Sequence, residues 1–163
     1  MSRMRIGTGF DAHPFGGPGP VRIGGVDVPH PAGLKGHSDG DVLLHALADA
    51  ILGAAGLPSL GEQFPDSDPA WRGADSAWLL ARVYAKAKER GLELIHADAV
   101  VVAEAPRLAH HRERVCSRIA EVLDVPVDRI GVRGTSSNGL GFPGRGEGIA
   151  AIAVVLLGEP ESR

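Results

Sequence analysis

Val42-Leu43-Leu44-His45-Ala46-Leu47-Ala48-Asp49-Ala50-Ile51-Leu52 is the stretch from which the fold can be read. His37-Ser38-Asp39-Gly40-Asp41 precedes it, and it stops near Gly53 to Gly56. Ser38 and Asp41 have the spacing of a capping box, so the segment reads as a helix with a defined start and a glycine stop. It is apolar on most of its sides, so other elements must cover it. Upstream, Met4 to Phe10 reads as a first strand loosened by Gly7 and Gly9, and Phe15 to Pro20 as a flexible surface loop. Val21-Arg22-Ile23 and Val26-Asp27-Val28 read as a hairpin turned by Gly24-Gly25.

Downstream, Leu57 to Gly73 carries Pro58, Pro65 and Pro69 without a period and reads as a long loop. Asp75 caps a second helix, Ser76 to Arg90, which Gly91 stops. Leu92 to Ala103 is a strand, and Pro106 opens a third helix to about Leu123 with Leu108, Val115, Ile119 and Val122 inward. Ile130 to Arg133 is a short strand, Gly134 to Gly148 a glycine-rich loop and Ile149 to Leu157 a buried closing strand. Strands and helices mix without βαβ alternation. The expected class is α+β (an α/β layer fold): one mixed β-sheet with helices on one face, in a single domain over residues 1–163.

A chain of 163 residues suits one domain. It buries roughly 70% of its unfolded surface, enough to fold without disulfides. Hydrophobic residues at 44% and charged residues at 23% exclude general disorder. Seventeen basic against twenty acidic side chains give −3, which leaves no electrostatic footprint for nucleic acid or anionic membranes. Cys116 is the single cysteine, so an internal disulfide and a cysteine-based zinc knuckle are excluded. Aromatics at 4% leave a core of Val, Ile, Leu and Ala and few platforms for stacking bases. Met1-Ser2-Arg3-Met4-Arg5 is basic, but Gly7, Thr8, Gly9 and Asp11 interrupt the apolar run a signal peptide needs. No run approaches the roughly 18 apolar residues of a membrane helix. A soluble, cytoplasmic protein is expected.

The chemistry concentrates around the first helix. Asp11 and His13, at the end of the first strand, point to the same side. His45 has Asp41 at i−4 and Asp49 at i+4 on one helical face. One reading is a solvated polar stripe. The other is a metal site of Asp11, His13 and His45, with Asp41 or Asp49 orienting the imidazoles. One carboxylate and two imidazoles suit Zn²⁺ with an open fourth position. His37-Ser38 offers an anion the start of the helix, or Ser38 only caps it. Phe64-Pro65-Asp66-Ser67-Asp68 is an acidic binding loop or a turn capped by its aspartates. Gly134-Thr135-Ser136-Ser137-Asn138-Gly139 is a donor array for phosphate or a plain turn. Gly144-Arg145-Gly146-Glu147-Gly148 lacks the strand-turn-helix context of a dinucleotide loop, and His110-His111 reads as surface.

Five segments in order resemble the 2-C-methyl-D-erythritol 2,4-cyclodiphosphate synthase family of non-mevalonate isoprenoid biosynthesis. They are Gly7-Thr8-Gly9-Phe10-Asp11-Ala12-His13, His37 to Leu47, Phe64 to Asp68, Ala103-Glu104-Ala105-Pro106-Arg107, and Gly141-Phe142-Pro143 to Gly148. The likeness runs from about Arg5 to Leu157. It implies Asp11, His13 and His45 as zinc ligands, with Asp11 and His13 also facing substrate, His37 and Ser136 as catalytic groups, and His37-Ser38 against the methylerythritol phosphate. It implies Ser59-Leu60-Gly61 and Phe64-Pro65-Asp66-Ser67-Asp68 at the sugar alcohol and ribose. Ala103-Glu104-Ala105-Pro106-Arg107-Leu108-Ala109 matches the cytosine pocket, and Thr135-Ser136-Ser137-Asn138 the diphosphate loop. Phe142 and Arg145 match further binding positions.

The resemblance also implies a second cation, Mg²⁺ or Mn²⁺, at the diphosphate, and a homotrimer with active sites between subunits. The implied activity is that of a phosphorus–oxygen lyase. It converts 4-diphosphocytidyl-2-C-methyl-D-erythritol 2-phosphate to the 2,4-cyclodiphosphate and CMP. Three positions depart from the family pattern: Asn138 stands where Glu is usual, Ser59 where Asp is common, and Ser136 in place of Thr. Two other readings use the same residues: a zinc-dependent phosphohydrolase, and a trimer that binds nucleotide or isoprenoid phosphate without turnover.

Overall fold

In the computed structural model, which describes residues 3–160, one long strand organises the chain. Met1 and Ser2 of the basic N-terminal segment, and residues 161–163 at the end of the expected domain, lie outside the described residues. Strand β1 spans Met4–Pro18. It therefore does not end at Asp11 and His13, and Phe15 to Pro18 are strand, not flexible loop. Strands β2 (Val21–Ile23) and β3 (Val26–Val28) form the expected hairpin, with Gly24 and Gly25 at φ 62° and 74°. A short strand that was not expected, β4 (Ala32–Leu34), pairs with the far end of β1 and holds it extended.

Strands β5 (Glu93–Val102), β6 (Ile130–Thr135) and β7 (Gly148–Gly158) complete a five-stranded sheet in the order β4-β1-β7-β5-β6. Only β5 and β6 run parallel, so the sheet is mixed, as expected. The helices are α1 (Val42–Ala55), α2 (Leu60–Gln63), α3 (Ser76–Glu89), α4 (Arg112–Leu123) and α5 (Gly141–Gly144). Helices α2 and α5, with a 3₁₀ turn at Pro69–Trp71, break up the two segments read as loops. A single turn is too short to register a period. The third long helix starts at Arg112 and not at Pro106, because a 3₁₀ turn at Leu108–His111 first carries Leu108 into the core. Helix α3 matches its expectation: Asp75 accepts from the Ala77 N–H, and Gly91 follows at φ 71°.

Alternation along the strands assigns the two faces of the sheet. Ala97, Ala99 and Val101 of β5 and Ile149, Ala151, Ala153, Val155 and Leu157 of β7 are buried beneath the helices. On β1 the matching positions are Gly7 and Gly9. A Cβ at Gly7 would overlap the Ala50 carbonyl oxygen, and one at Gly9 the Ala46 carbonyl oxygen. Helix α1 thus rests on the backbone of β1, its small Ala46, Ala50 and Ala54 turned toward the strand. The opposite face of the sheet carries exposed Ile6, Phe10, Ile152 and Val154.

The start of α1 differs from the capping-box reading. Asp41 is itself the N-cap and accepts from the Leu44 N–H at 3.0 Å. It also accepts from the Gly24 and Gly25 N–H groups at 2.9 and 2.6 Å, which docks the hairpin turn on the helix. Burial pushes its carboxyl up to about 6 against these three donors. The start of the helix is therefore filled by the chain's own carboxylate and is not open to an external anion. Ser38 takes no part in the cap; its hydroxyl lies against His45.

The strand–helix contact predicts that Gly9→Ala lowers stability by at least about 3 kcal/mol in urea unfolding, because backbone on both sides must move. Gly61→Ala serves as control, since a Cβ there meets nothing within 4 Å. It should stay within about 0.5 kcal/mol of wild type.

Candidate functional site

The close seat of α1 determines which side chains meet at its first turns. Asp11 and His13 continue the inward parity of Gly7 and Gly9, opposite Ala151 and Ile149 of β7. His45 immediately precedes Ala46, the residue against Gly9, so its ring reaches the same place. Asp11 Oδ2 lies 2.8 Å from His13 Nε2 and 3.0 Å from His45 Nδ1. The two ring nitrogens are 3.2 Å apart, with the imidazoles edge-on at 69°. All three side chains are partly buried, and one donor atom from each falls in a common cluster.

This set fits a divalent metal. Tetrahedral bonds of about 2.0–2.2 Å separate ligand atoms by about 3.3–3.6 Å, a few tenths wider than the spacing here. One carboxylate and two imidazoles form a borderline donor set that favours zinc-like ions over Mg²⁺ or Ca²⁺. Burial pushes the Asp11 carboxyl up, but hydrogen bonds and charge from His13 and His45 outweigh it and hold the group at about 2. Burial likewise opposes a proton on His45, yet the Asp11 carboxylate prevails and the ring holds its proton more tightly than usual. An ionised carboxylate beside two imidazoles forms a site that exchanges a proton for a metal ion.

Neither Asp41 nor Asp49 orients the imidazoles as expected. Asp41 is committed to the helix cap, and Asp49 accepts from the Leu60 N–H at 2.7 Å, tying the loop after α1 to the helix. The His45 Nε2 lies instead 2.8 Å from each of the Ser38 and Ser76 hydroxyls. Ser76 contacts Asp39 in turn. Neither Ser76 nor Asp39 stood out in the sequence: Asp39 reads as turn residue and Ser76 as the first residue of a helix.

Asp11, His13 and His45 open onto a cleft of about 200 Å³ that His37, Ser38, Leu60, Gly61, Phe64 and Asp66 also line. Trp71 and Leu79, which the sequence did not single out, complete its apolar side. Phe64 packs edge-on against Trp71 at 4.8 Å and so fixes the loop that carries Asp66. Ser59 forms a reciprocal capping box with Glu62, and Asp68 caps the Pro69–Trp71 turn, so both are committed to local structure. Pro65 and Ser67 complete that loop without lining the cleft.

The remaining expected residues gather elsewhere. Ala103, Glu104, Pro106, Arg107, Leu108, Ala109, Thr135 and Ser136 line a second cleft of about 390 Å³ at the ends of β5 and β6. It shares no lining residue with the first. Glu104 accepts from the Ser137 and Gly139 N–H groups at 3.2 and 3.3 Å and so ties down the loop after β6. Asn138 sits at φ 55°, a backbone region that Asn tolerates better than most side chains. Its Oδ1 lies 3.4 Å from the Ser136 hydroxyl. Ala105 lines a separate hollow with Phe15 and His30, Phe142 is half-buried in α5, and Arg145 forms a bidentate ion pair with Glu147.

The sequence pattern of the YgbB family matches residues 4–158. The chain is 57% identical over 154 residues, 94% of its length and 97% of the relative's, to the 2-C-methyl-D-erythritol 2,4-cyclodiphosphate synthase of Aliivibrio salmonicida. It is 51% identical to the Vibrio cholerae enzyme of that name, over 94% of this chain and 98% of the relative. Among solved structures, the bifunctional IspDF of Campylobacter jejuni aligns with a TM-score of 0.94 at 44% identity. That alignment covers 98% of this chain and 43% of the longer protein. A CDP-bound cyclodiphosphate synthase aligns with a TM-score of 0.86 at 39% identity, covering 94% of this chain and 99% of that one.

The raised proton affinity of His45 has a sign that can be tested, with zinc as the probe ion. A metal on Nδ1 must displace the proton that Asp11 stabilises, so affinity is greatest where the ring is neutral and falls as pH drops through its raised pKa. Chelator competition should show zinc binding weakening as pH is lowered through the imidazole range, with the loss setting in above the pH at which an ordinary imidazole would take up its proton. A flat profile over that range would remove His45 from the ligand set.

Proposed function

The chain belongs to the YgbB family, the family of 2-C-methyl-D-erythritol 2,4-cyclodiphosphate synthases, and from that premise we propose that it makes this cyclic diphosphate from 4-diphosphocytidyl-2-C-methyl-D-erythritol 2-phosphate. In the proposed reaction the 2-phosphate attacks the β-phosphorus of the same molecule and CMP leaves, which makes the enzyme a phosphorus–oxygen lyase of non-mevalonate isoprenoid biosynthesis. The observation that carries this reading is the convergence of Asp11, His13 and His45 on a cleft that His37 and Ser38 also line.

Two anionic groups must be brought together, so the site needs cationic charge and a rigid frame. Asp11, His13 and His45 would hold Zn²⁺, which when bound supplies Lewis-acid polarisation of a phosphoryl oxygen. His37 and Ser38 serve the methylerythritol phosphate, and the loop from Phe64 to Asp68 encloses the sugar alcohol. Thr135 to Asn138 serve the diphosphate, with Ser136 as hydrogen-bond donor. Mg²⁺ or Mn²⁺ at the diphosphate would depend mainly on substrate oxygens and water, because a neutral Asn138 is a weaker ligand for a hard cation than a carboxylate. Alignment of this kind accounts for roughly 7–11 kcal/mol in well-oriented intramolecular reactions. No covalent nucleophile is required. The single thiol, Cys116, is buried, and burial pushes its pKa up.

The nucleotide subsite is assigned to the second cleft, with cytosine against the backbone of Ala103 to Ala109. Because the two clefts share no residue, the active site is proposed to form between subunits of a homotrimer, one chain supplying the metal side and its neighbour the nucleotide side. The uncovered sheet face supports this assembly. Ile6 and Phe10 are 70% and 59% exposed there, and Ile152 and Val154 adjoin them in register. Among the described residues no helix is long and apolar enough to cross a membrane, and a cytoplasmic location is part of the proposal.

Product analysis tests the reaction. With Zn²⁺ and Mg²⁺ present the protein should release CMP and a cyclic diphosphate, and chelation should stop it. Inorganic phosphate as product would favour a metal-dependent phosphohydrolase, and binding without turnover a carrier. His45→Ala should lose both bound metal and CMP release while keeping its helical signal, since Ala suits a helix interior.

Shared sites are tested separately. Refolded mixtures of Asp11→Asn chains with Ser136→Ala chains should recover part of the activity that each lacks alone. No recovery at any ratio, with mixed oligomers demonstrably present, would rule a shared site out.

A further inference from the structure

Asp41 and Ser76 are the two polar side chains fully buried among the described residues. Asp41 is accounted for by the N–H groups it accepts. Ser76 is not: Asp75 already caps α3 through the Ala77 N–H, so the Ser76 hydroxyl has no duty in its own helix. That hydroxyl lies against the Asp39 carboxylate, 2.8 Å from His45 Nε2 and 3.3 Å from the Ser38 hydroxyl.

The proton count fixes the direction of this chain. An ionised carboxylate only accepts, and a serine hydroxyl has a single proton to give. Asp39 also accepts from the Ser76 and Asp41 N–H groups, each at 3.1 Å, with Arg22 Nε at 3.6 Å, so it is held in place as an acceptor. The Ser76 O–H therefore donates to Asp39, and its lone pairs face His45. A nitrogen facing those lone pairs at 2.8 Å must carry the proton. His45 therefore keeps a proton on Nε2, and Nδ1, the nitrogen beside Asp11 and His13, is the one at which a metal can replace a proton.

We propose that Ser76, backed by Asp39, is a positioning residue that fixes the tautomer and tilt of His45 so that Nδ1 completes the metal site. The inference rests on the metal reading of Asp11, His13 and His45 and extends it to α3, an element that supplies no ligand. Ser38, at the same distance from Nε2, shares that proton as an acceptor, and its own hydroxyl proton faces the Ser76 oxygen at 3.3 Å. Partners of this kind around a metal-bound histidine alter affinity by about 10–100-fold when removed.

The test is zinc affinity measured by chelator competition, with activity not required. Ser76→Ala should bind zinc about 10–100-fold more weakly than wild type, and Asp39→Asn should weaken it too. The double variant should be no weaker than the poorer single by more than about 3-fold, because both act through one chain. Asp75→Ala, which loosens the same helix end without touching His45, should lower the melting temperature and leave zinc affinity unchanged. Should Ser76→Ala fail to fold, ¹⁵N histidine correlations of zinc-loaded wild type decide the matter: His45 should show a protonated Nε2. Wild-type affinity in a folded Ser76→Ala variant, or a protonated Nδ1 in the zinc-loaded protein, overturns the proposal. A wild-type protein that binds no zinc overturns the metal reading itself, and this inference with it.

Discussion

Helix α1 lies on β1 with no strand side chain between them at Gly7 and Gly9, and much of the chemistry of this protein is a consequence of that contact. At Gly7 and Gly9 any Cβ would run into carbonyl oxygens of the helix. A normal strand-to-helix layer separation would leave the His45 ring well short of Asp11 and His13. At the separation found, the three donor atoms stand 2.8–3.2 Å from one another. The buried Asp41 holds the helix against sliding, since its carboxylate joins the first turn to the Gly24-Gly25 hairpin. Two glycines and one buried carboxylate thus set the geometry of a site to which they contribute no ligand.

The division of the expected binding residues into two clefts follows from the topology. Asp11 and His13 lie on β1, near one edge of the sheet, whereas Ala103 follows β5 and Thr135 ends β6 toward the other. Strand β7 separates them in the sheet, and the two clefts have no lining residue in common. A substrate with a phosphate at one end and a nucleotide at the other would need both clefts at once. In the proposed trimer, the apolar sheet face left uncovered by the helices is the surface on which chains would meet. The proposed trimer is therefore tied to the chemistry, not added to it.

What could be read from the sequence divides along the same physical line. Helices α1 and α3, the hairpin and the class of the sheet are written in local signals: caps, glycine stops and alternation. Alternation also puts Asp11 and His13 on one side of β1, whereas His45 joins them from 34 residues beyond Asp11 and is singled out with help from the family resemblance. What escaped depends on contacts between distant segments. The extension of β1 past Asp11 needs β7 as far as Pro14 and β4 beyond it, and the one-turn helices at 60–63 and 141–144 are too short to leave a period. The expectation that Asp41 or Asp49 would orient His45 rested on helical spacing. It failed because each carboxylate is claimed by backbone N–H groups elsewhere. Ser76 and Asp39 hold that ring instead, and they meet only because the starts of α1 and α3 converge, 37 residues apart in sequence. Arg145 carries a family-like motif, yet in one chain it faces Glu147 and no cleft.

The measurement that bears most directly on this account is a crystal structure of the protein grown with Zn²⁺ and CDP. The account predicts zinc on Asp11 Oδ2, His13 Nε2 and His45 Nδ1, with CDP in the Ala103 to Ala109 cleft of an adjacent subunit and its diphosphate directed toward that zinc. Zinc on other residues, or CDP and zinc bound on surfaces that no neighbouring chain brings together, would contradict it.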